Sequence, residues 1–265
     1  MPASLAGNWI RQLAVRYHVL TWETRWLLGP PVPAVPAAPG GDTRGDARGA
    51  GLVAAQAADL VAVLDHFGVR TAHVAGLCGG AVIALAAARR QPGRVGSLSL
   101  WHGDFDLGPG TPKTGHQRNL QALLGMAAQG PDGAAAVHSV LADTMLAGVP
   151  ADVAHLVLCP YVTPERLQRY GQLNGAIMSA DVSGWLAHIP QPAIVAASAD
   201  DTTAHPQSSR LVARTLPAAS FVPSPCRDHI SLFSSVPGLL LRALADPAGP
   251  PADPASRPPG WPAQS

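Results

Sequence analysis

A thiol, an imidazole and a carboxylate, the three groups of a cysteine acyl-transfer centre, are each present in settings that suit that chemistry. The thiol is Cys78, in Gly76-Leu77-Cys78-Gly79-Gly80. A thiolate is a strong nucleophile and a good leaving group from an acyl-enzyme. Small neighbours allow the sharp, strained turn that holds such a nucleophile clear of its own backbone. An isolated Gly-x-Cys-x-Gly also suits a buried structural cysteine. The flanks decide between the two. The apolar run 71–75 precedes the pentad and the Ala-rich run 81–88 follows it, a strand-turn-helix junction with Cys78 at its apex. Gly79 comes next in the chain, so its N–H is the expected oxyanion donor.

A cysteine nucleophile needs a base, and the base needs an orienting carboxylate. Of ten histidines, His229 follows the last expected strand and precedes the last expected helix, in Pro225-Cys226-Arg227-Asp228-His229-Ile230. It is the candidate base. His18, His66, His73, His138, His155 and His188 fall within expected elements and read as packing or surface residues, while His102 and His205 lie near strand ends as supporting groups. Two aspartates compete for the acid. Asp201 lies in Ser198-Ala199-Asp200-Asp201-Thr202, after the penultimate strand; Asp104 lies in Trp101-His102-Gly103-Asp104, after the strand that follows the Cys78 helix. Either could instead be an ordinary turn or cap aspartate. Position alone favours Asp201.

These groups must be positioned by strands and helices in alternation. A helix is expected over 8–15 and a strand over 16–22, then a Pro/Gly/Ala-rich loop over 29–51 and a helix over 52–67. After the Cys78 junction come a strand over 95–101 and a mostly helical insertion over 111–180. Its expected helices are 117–128, 134–146, 150–158 and 164–178. Because it separates two sheet strands, it reads as a lid over the site. A strand at 193–197, a helix at 206–216, a strand at 220–222 and a helix at 230–244 complete the pattern. The core is thus 1–110 with 181–245, the lid 111–180, and the proline-rich residues 246–265 a disordered tail. Alternation of this kind predicts an α/β fold with a mostly parallel sheet, ligands binding at the C-terminal strand ends.

Composition narrows the function classes. The chain has 265 residues, enough for one large domain, and a net charge of +1 with 13% charged residues, so no nucleic-acid-binding face is expected. Lys113 is the only lysine. Three widely spaced cysteines, Cys78, Cys159 and Cys226, suit a reducing cytoplasm better than a disulfide framework, and their spacing does not resemble a zinc site. The sequence shows neither a secretory leader nor an apolar run long enough to span a bilayer, so a soluble cytoplasmic protein without a membrane partner is expected.

The Gly-x-Cys-x-Gly junction resembles the nucleophile elbow of the α/β-hydrolase fold, which usually carries serine. Residues 1–9 resemble the loop after the third strand of that fold, so its first three strands are expected to be missing here. A start assigned too late is the favoured reading, since a truncated sheet would expose an apolar edge. The second oxyanion donor would then lie at or before Met1.

Within that superfamily, Tyr17-His18-Val19-Leu20-Thr21-Trp22-Glu23-Thr24-Arg25, the pentad, and Leu98-Ser99-Leu100-Trp101-His102-Gly103-Asp104-Phe105 resemble the Dieckmann cyclases, which release tetramic acids from polyketide–peptide assembly lines. The resemblance implies a Cys-Asp-His triad with the acid after the strand that follows the elbow helix, hence Cys78, Asp104 and His229, with Asp201 as the alternative acid. It implies a β-ketoacyl-aminoacyl thioester on an acyl- or peptidyl-carrier protein as substrate and partner, with neither metal nor organic cofactor required. Rival readings are a thioesterase, a dienelactone-type hydrolase with the same triad, and a non-catalytic binding protein of the same fold.

Overall fold

The computed structural model describes residues 2–29, 44–142, 151–224, 226, 229, 231–233, 238 and 244. Along the chain these form α1 (Gly7–Leu13), α2 (Arg25–Leu28), α3 (Arg44–His66), β1 (Ala72–Leu77), α4 (Gly80–Arg90) and β2 (Val95–Trp101). Four helices of the insertion follow: α5 (Gly115–Ala128), α6 (Pro131–Ala142), α7 (Ala151–Val157) and α8 (Pro164–Met178). The short α9 (Ser183–Leu186), then β3 (Ala193–Ala197), α10 (Pro206–Thr215) and β4 (Ala219–Pro223), return the chain to the sheet. None of the described helices is long and apolar enough to cross a membrane.

The strands form one parallel sheet in the order β1-β2-β3-β4. Both faces are covered, as a parallel sheet requires. Leu98, Leu100 and Val195 point into the larger core with α3, α4 and α10, while Trp101 and Ala196 alternate onto the opposite face with Trp9 and Leu13 of α1. On that second face the Trp9 and Trp101 rings meet edge to face at 5.5 Å. Trp9 Nε1 also donates to the Leu232 carbonyl at 2.7 Å, which ties α1 to the segment just after His229.

Two expectations are corrected. Residues 16–22 are not a strand: 14–17 turn and 18–24 have no regular structure. Among the described residues β1 is the edge of the sheet, so this segment has no strand to pair with. Its apolar residues pack instead, Tyr17 and Val19 beside the tryptophans and Leu20 and Trp22 on the larger core. The loop expected over 29–51 is partly helix, since α3 starts at Arg44. Packing outweighs its glycines: a Cβ on Gly49 would lie 3.5 Å from Ala176 of α8. Most of the expected final helix, 230–244, and all of 246–265 lie outside the described residues.

The insertion is helical as expected, with a small core of its own built from Leu124, Ala127, Ala134, Val137 and Leu167. At Gly171 the crossing of α8 over α5 is so tight that a Cβ would sit 2.7 Å from the Leu124 carbonyl oxygen. Only glycine fits there.

Candidate active site

Among the described residues, Cys78 and His102 are the two non-glycine residues with positive φ, +54° and +48°, and each follows directly on a strand, β1 and β2 respectively. Both N–H groups continue the ladder, Cys78 to the Trp101 carbonyl at 2.9 Å and His102 to that of Ala196 at 2.8 Å. Strained left-handed residues at adjacent C-terminal strand ends make this the candidate site. The elbow itself is sterically enforced. A Cβ on Gly76 would lie 2.6 Å from Ala81 Cα and 2.7 Å from the Gly80 carbonyl oxygen. Gly80 faces open space, so it is the first glycine of the pentad that the turn requires. Gly79 caps α4 in helical conformation, and its N–H has no acceptor among the described residues. That is the state an oxyanion donor needs.

The loop after β3 delivers Asp201 and the loop after β4 delivers His229, both buried. His229 Nδ1 donates to Asp201 Oδ2 at 2.9 Å, and His102 Nδ1 donates to the same oxygen at 2.7 Å. Asp201 Oδ1 accepts from the N–H groups of Thr203 at 2.8 Å and Ala204 at 3.0 Å. The Ser224 hydroxyl donates to His102 Nε2 at 2.8 Å. Burial works against the Asp201 charge, but the bonds from His102 and His229 outweigh it and hold the carboxyl well below the usual carboxylate range.

His229 Nε2 is buried with no partner in regular hydrogen-bond geometry, and the group it faces is the Cys78 thiol. Burial would lower the imidazole pKa, but the Cys78 charge and the bond to Asp201 push it up to about 10. His102, Asp201 and His229 also have metal-ligand chemistry. Their facing atoms are taken up by hydrogen bonds within the trio, and we assign no metal to them.

Asp104, expected to orient His229, does not bond to it. Its Oδ1 accepts a hydrogen bond from Gln117 Nε2 on α5. Burial pushes the Asp104 carboxyl up, opposed by the Gln117 bond and the charge of His229. The acid paired with His229 in this structure is therefore Asp201, the alternative.

The insertion reaches over the elbow. Ile177 Cγ2 would stand 3.1 Å and Asn174 Oδ1 3.6 Å from a Cβ on Gly79. Tyr161 and Tyr170 meet edge to face at 5.3 Å, close enough to feel the charge of Cys78. Burial pushes Tyr161 up to about 12 and Tyr170 well above its ordinary value, so both phenols stay neutral hydrogen-bonding groups. Sequence patterning had no signal for this pair. Gln117 was legible only as part of a Thr114-x-x-Gln117 capping box, which the structure forms.

The strand-elbow-helix unit, the parallel sheet covered on both faces and the segment carrying His229 after β4 belong to one architecture. The chain has the α/β-hydrolase fold. No family model matches it. Among solved structures of the fold it is similar to a hydrolase from Oleispira antarctica, with a TM-score of 0.68 and 14% identity over 92% of this chain and 87% of that one. A hydrolase from Pseudomonas aeruginosa matches with a TM-score of 0.50 and 22% identity over 74% and 69% of the two chains. An enol-lactonase from Burkholderia xenovorans matches with a TM-score of 0.51 and 21% identity over 73% and 69%.

Proposed function

We propose that this α/β-hydrolase-fold protein is an acyl-transfer enzyme in which Cys78 is the nucleophile, His229 the base and Asp201 the orienting carboxylate. The observation that carries it is the junction of strained Cys78 with a buried imidazole whose far nitrogen is held by Asp201. Proton transfer from Cys78 to His229 gives the thiolate, which attacks an acyl carbonyl. The oxyanion is met by the Gly79 N–H. His229 returns its proton to the leaving group and is neutral in the acyl-enzyme.

The finer reading is a Dieckmann cyclase that takes a β-ketoacyl-aminoacyl thioester from an acyl- or peptidyl-carrier protein. His229 removes the acidic proton between ketone and amide carbonyls. The resulting carbanion attacks the Cys78 acyl carbon, a C–C bond forms, the C–S bond breaks, and a five-membered ring leaves the thiolate beside imidazolium. The residue resemblance around Cys78 and Asp104 supports this branch, as does a helical cover over the elbow that limits hydrolysis by water. The second reading is a lactone hydrolase or thioesterase, in line with the enol-lactonase neighbour.

The test uses the N-acetylcysteamine thioester of acetoacetyl-glycine. Intact-mass and peptide analysis should place the acyl group on Cys78, and the product should be the acetyl tetramic acid. A linear acid as sole product returns the protein to the hydrolases. An adduct on Cys159 or Cys226 with none on Cys78 removes the nucleophile assignment.

A further inference from the structure

Two glycines inside helices have no steric reason to be glycine. A Cβ on Gly125 of α5 or on Gly175 of α8 would meet nothing within 4 Å, whereas at Gly171 only glycine fits. Neither has positive φ, and a glycine weakens any helix that does not require it. What the two leave open is a cavity of about 780 Å³ bounded by α3, α4, α5, α8 and α9, the size of a small-molecule site. It is not the catalytic cleft. On α8, Asn174 and Ile177 face Gly79 of the elbow, while Gln172, Gly175, Ala176 and Ser179, about half a turn round the helix, line the cavity. Cys78, Asp201 and His229 are not among the lining residues.

The lining offers two kinds of surface. Ala54, Ala86, Ala176 and Ala180 join the two glycines in a wall of small apolar groups, which suits a slender chain better than a ring system. The last turn of α4 adds Arg89 and Arg90 at the exposed rim, the Arg89 guanidinium 5.8 Å from the centre of the Trp185 ring. Neither arginine has an ion pair or a hydrogen bond among the described residues. The one lining carboxylate among those residues, Asp181, already accepts from the Ser183 N–H at 2.9 Å, and Gln121 is bonded to Ser179. Two unpaired cations against one carboxylate call for an anion. We propose that this cavity binds a straight-chain fatty carboxylate, its tail along the alanine and glycine wall and its head held by Arg89 and Arg90. Gly125 and Gly175 keep the path of the tail open. The site stands independently of the reaction at Cys78, and binding is by ion pairing and burial alone.

The test is isothermal titration of the full chain with decanoate, kept below its micelle concentration, and with 1-decanol, which has the same tail and no charge. Wild type should bind one equivalent of decanoate, and 1-decanol more weakly. Gly175→Leu and Gly125→Leu fill the cavity from α8 and from α5. Each should abolish decanoate binding while keeping the helical circular dichroism and a cooperative melt. The double variant Arg89→Gln, Arg90→Gln should weaken decanoate by about 10–100-fold, as for loss of charge-assisted hydrogen bonds, and leave 1-decanol unchanged. Decanoate binding unchanged in both leucine variants places the ligand elsewhere and overturns the proposal. So does equal affinity of wild type for decanoate and 1-decanol, which removes the role of the arginines. So does the lack of saturable binding at millimolar decanoate. If one leucine variant fails to fold, the other decides.

Discussion

His102 and His229 donate to the same oxygen of Asp201, at 2.7 and 2.9 Å, and their rings meet edge to face with centroids 5.7 Å apart. A carboxylate so shared, with its other oxygen held by two backbone N–H groups, has no freedom to rotate. His102→Asn keeps a residue that tolerates positive φ but loses the bridge from Asp201 to Ser224. Acylation of Cys78 should fall about tenfold in this variant, with a shifted pH profile. His102→Phe should in addition lower stability by about 1–3 kcal/mol, by leaving buried polar atoms without partners. Stopped-flow acylation and thermal unfolding check both.

The pairing of Asp201 with His229 separates the two aspartates cleanly. Asp201→Asn should slow acylation on the order of 10³-fold or more, because the imidazole loses both its orientation and its counter-charge. Asp104→Asn should leave acylation within a few-fold of wild type. A larger loss for Asp104→Asn in rapid-quench acylation would return the acid to the loop after β2.

His229 should remain protonated up to about pH 10 in the resting protein, read by the chemical shifts of its ring in NMR titration. Replacing Cys78 with serine removes the thiolate that holds this proton, so the titration should move down toward the ordinary value of 6.5. The linkage has a definite sign. The raised value contributes stability that is fully present below pH 6.5 and is lost as pH rises toward about 10. Thermal stability should therefore decline over that alkaline window in wild type and much less in Cys78→Ser.

His73 has the opposite sign. It lies between the hydroxyls of Ser97 at 2.8 Å and Ser99 at 2.9 Å, and burial lowers it to about 4. The unfolded chain takes up this proton first, so stability is complete above pH 6.5 and falls as pH drops from there to about 4. His73→Gln should flatten that part of a plot of Tm against pH.

The pentad makes a steric prediction. Gly76→Ala places a methyl against the backbone of Gly80 and Ala81 and should cost about 1–3 kcal/mol, as overpacking does. Gly80→Ala meets open space and should stay within about 1 kcal/mol of wild type. Urea denaturation of the two variants gives the comparison.

Much of this was legible in the chain because it is local. The elbow follows from glycines around Cys78 between an apolar run and an Ala-rich helix, and the four insertion helices follow from apolar periodicity over a few turns each. What local pattern does not contain is a partner. Residues 16–22 alternate like a strand, yet a strand exists only where another pairs with it, and the described sheet stops at β1. The choice of acid is of the same kind. Asp104 and Asp201 both follow strands and both read as turn residues. The fold brought Gln117 to the first, and His102 and His229 to the second, across up to 99 positions of sequence. Residue type and spacing determined which groups could react. Which carboxylate holds the imidazole, and which is held by Gln117 instead, was decided by the convergence of separate segments at the strand ends, because hydrogen bonds are made by position in space and not by position in the chain.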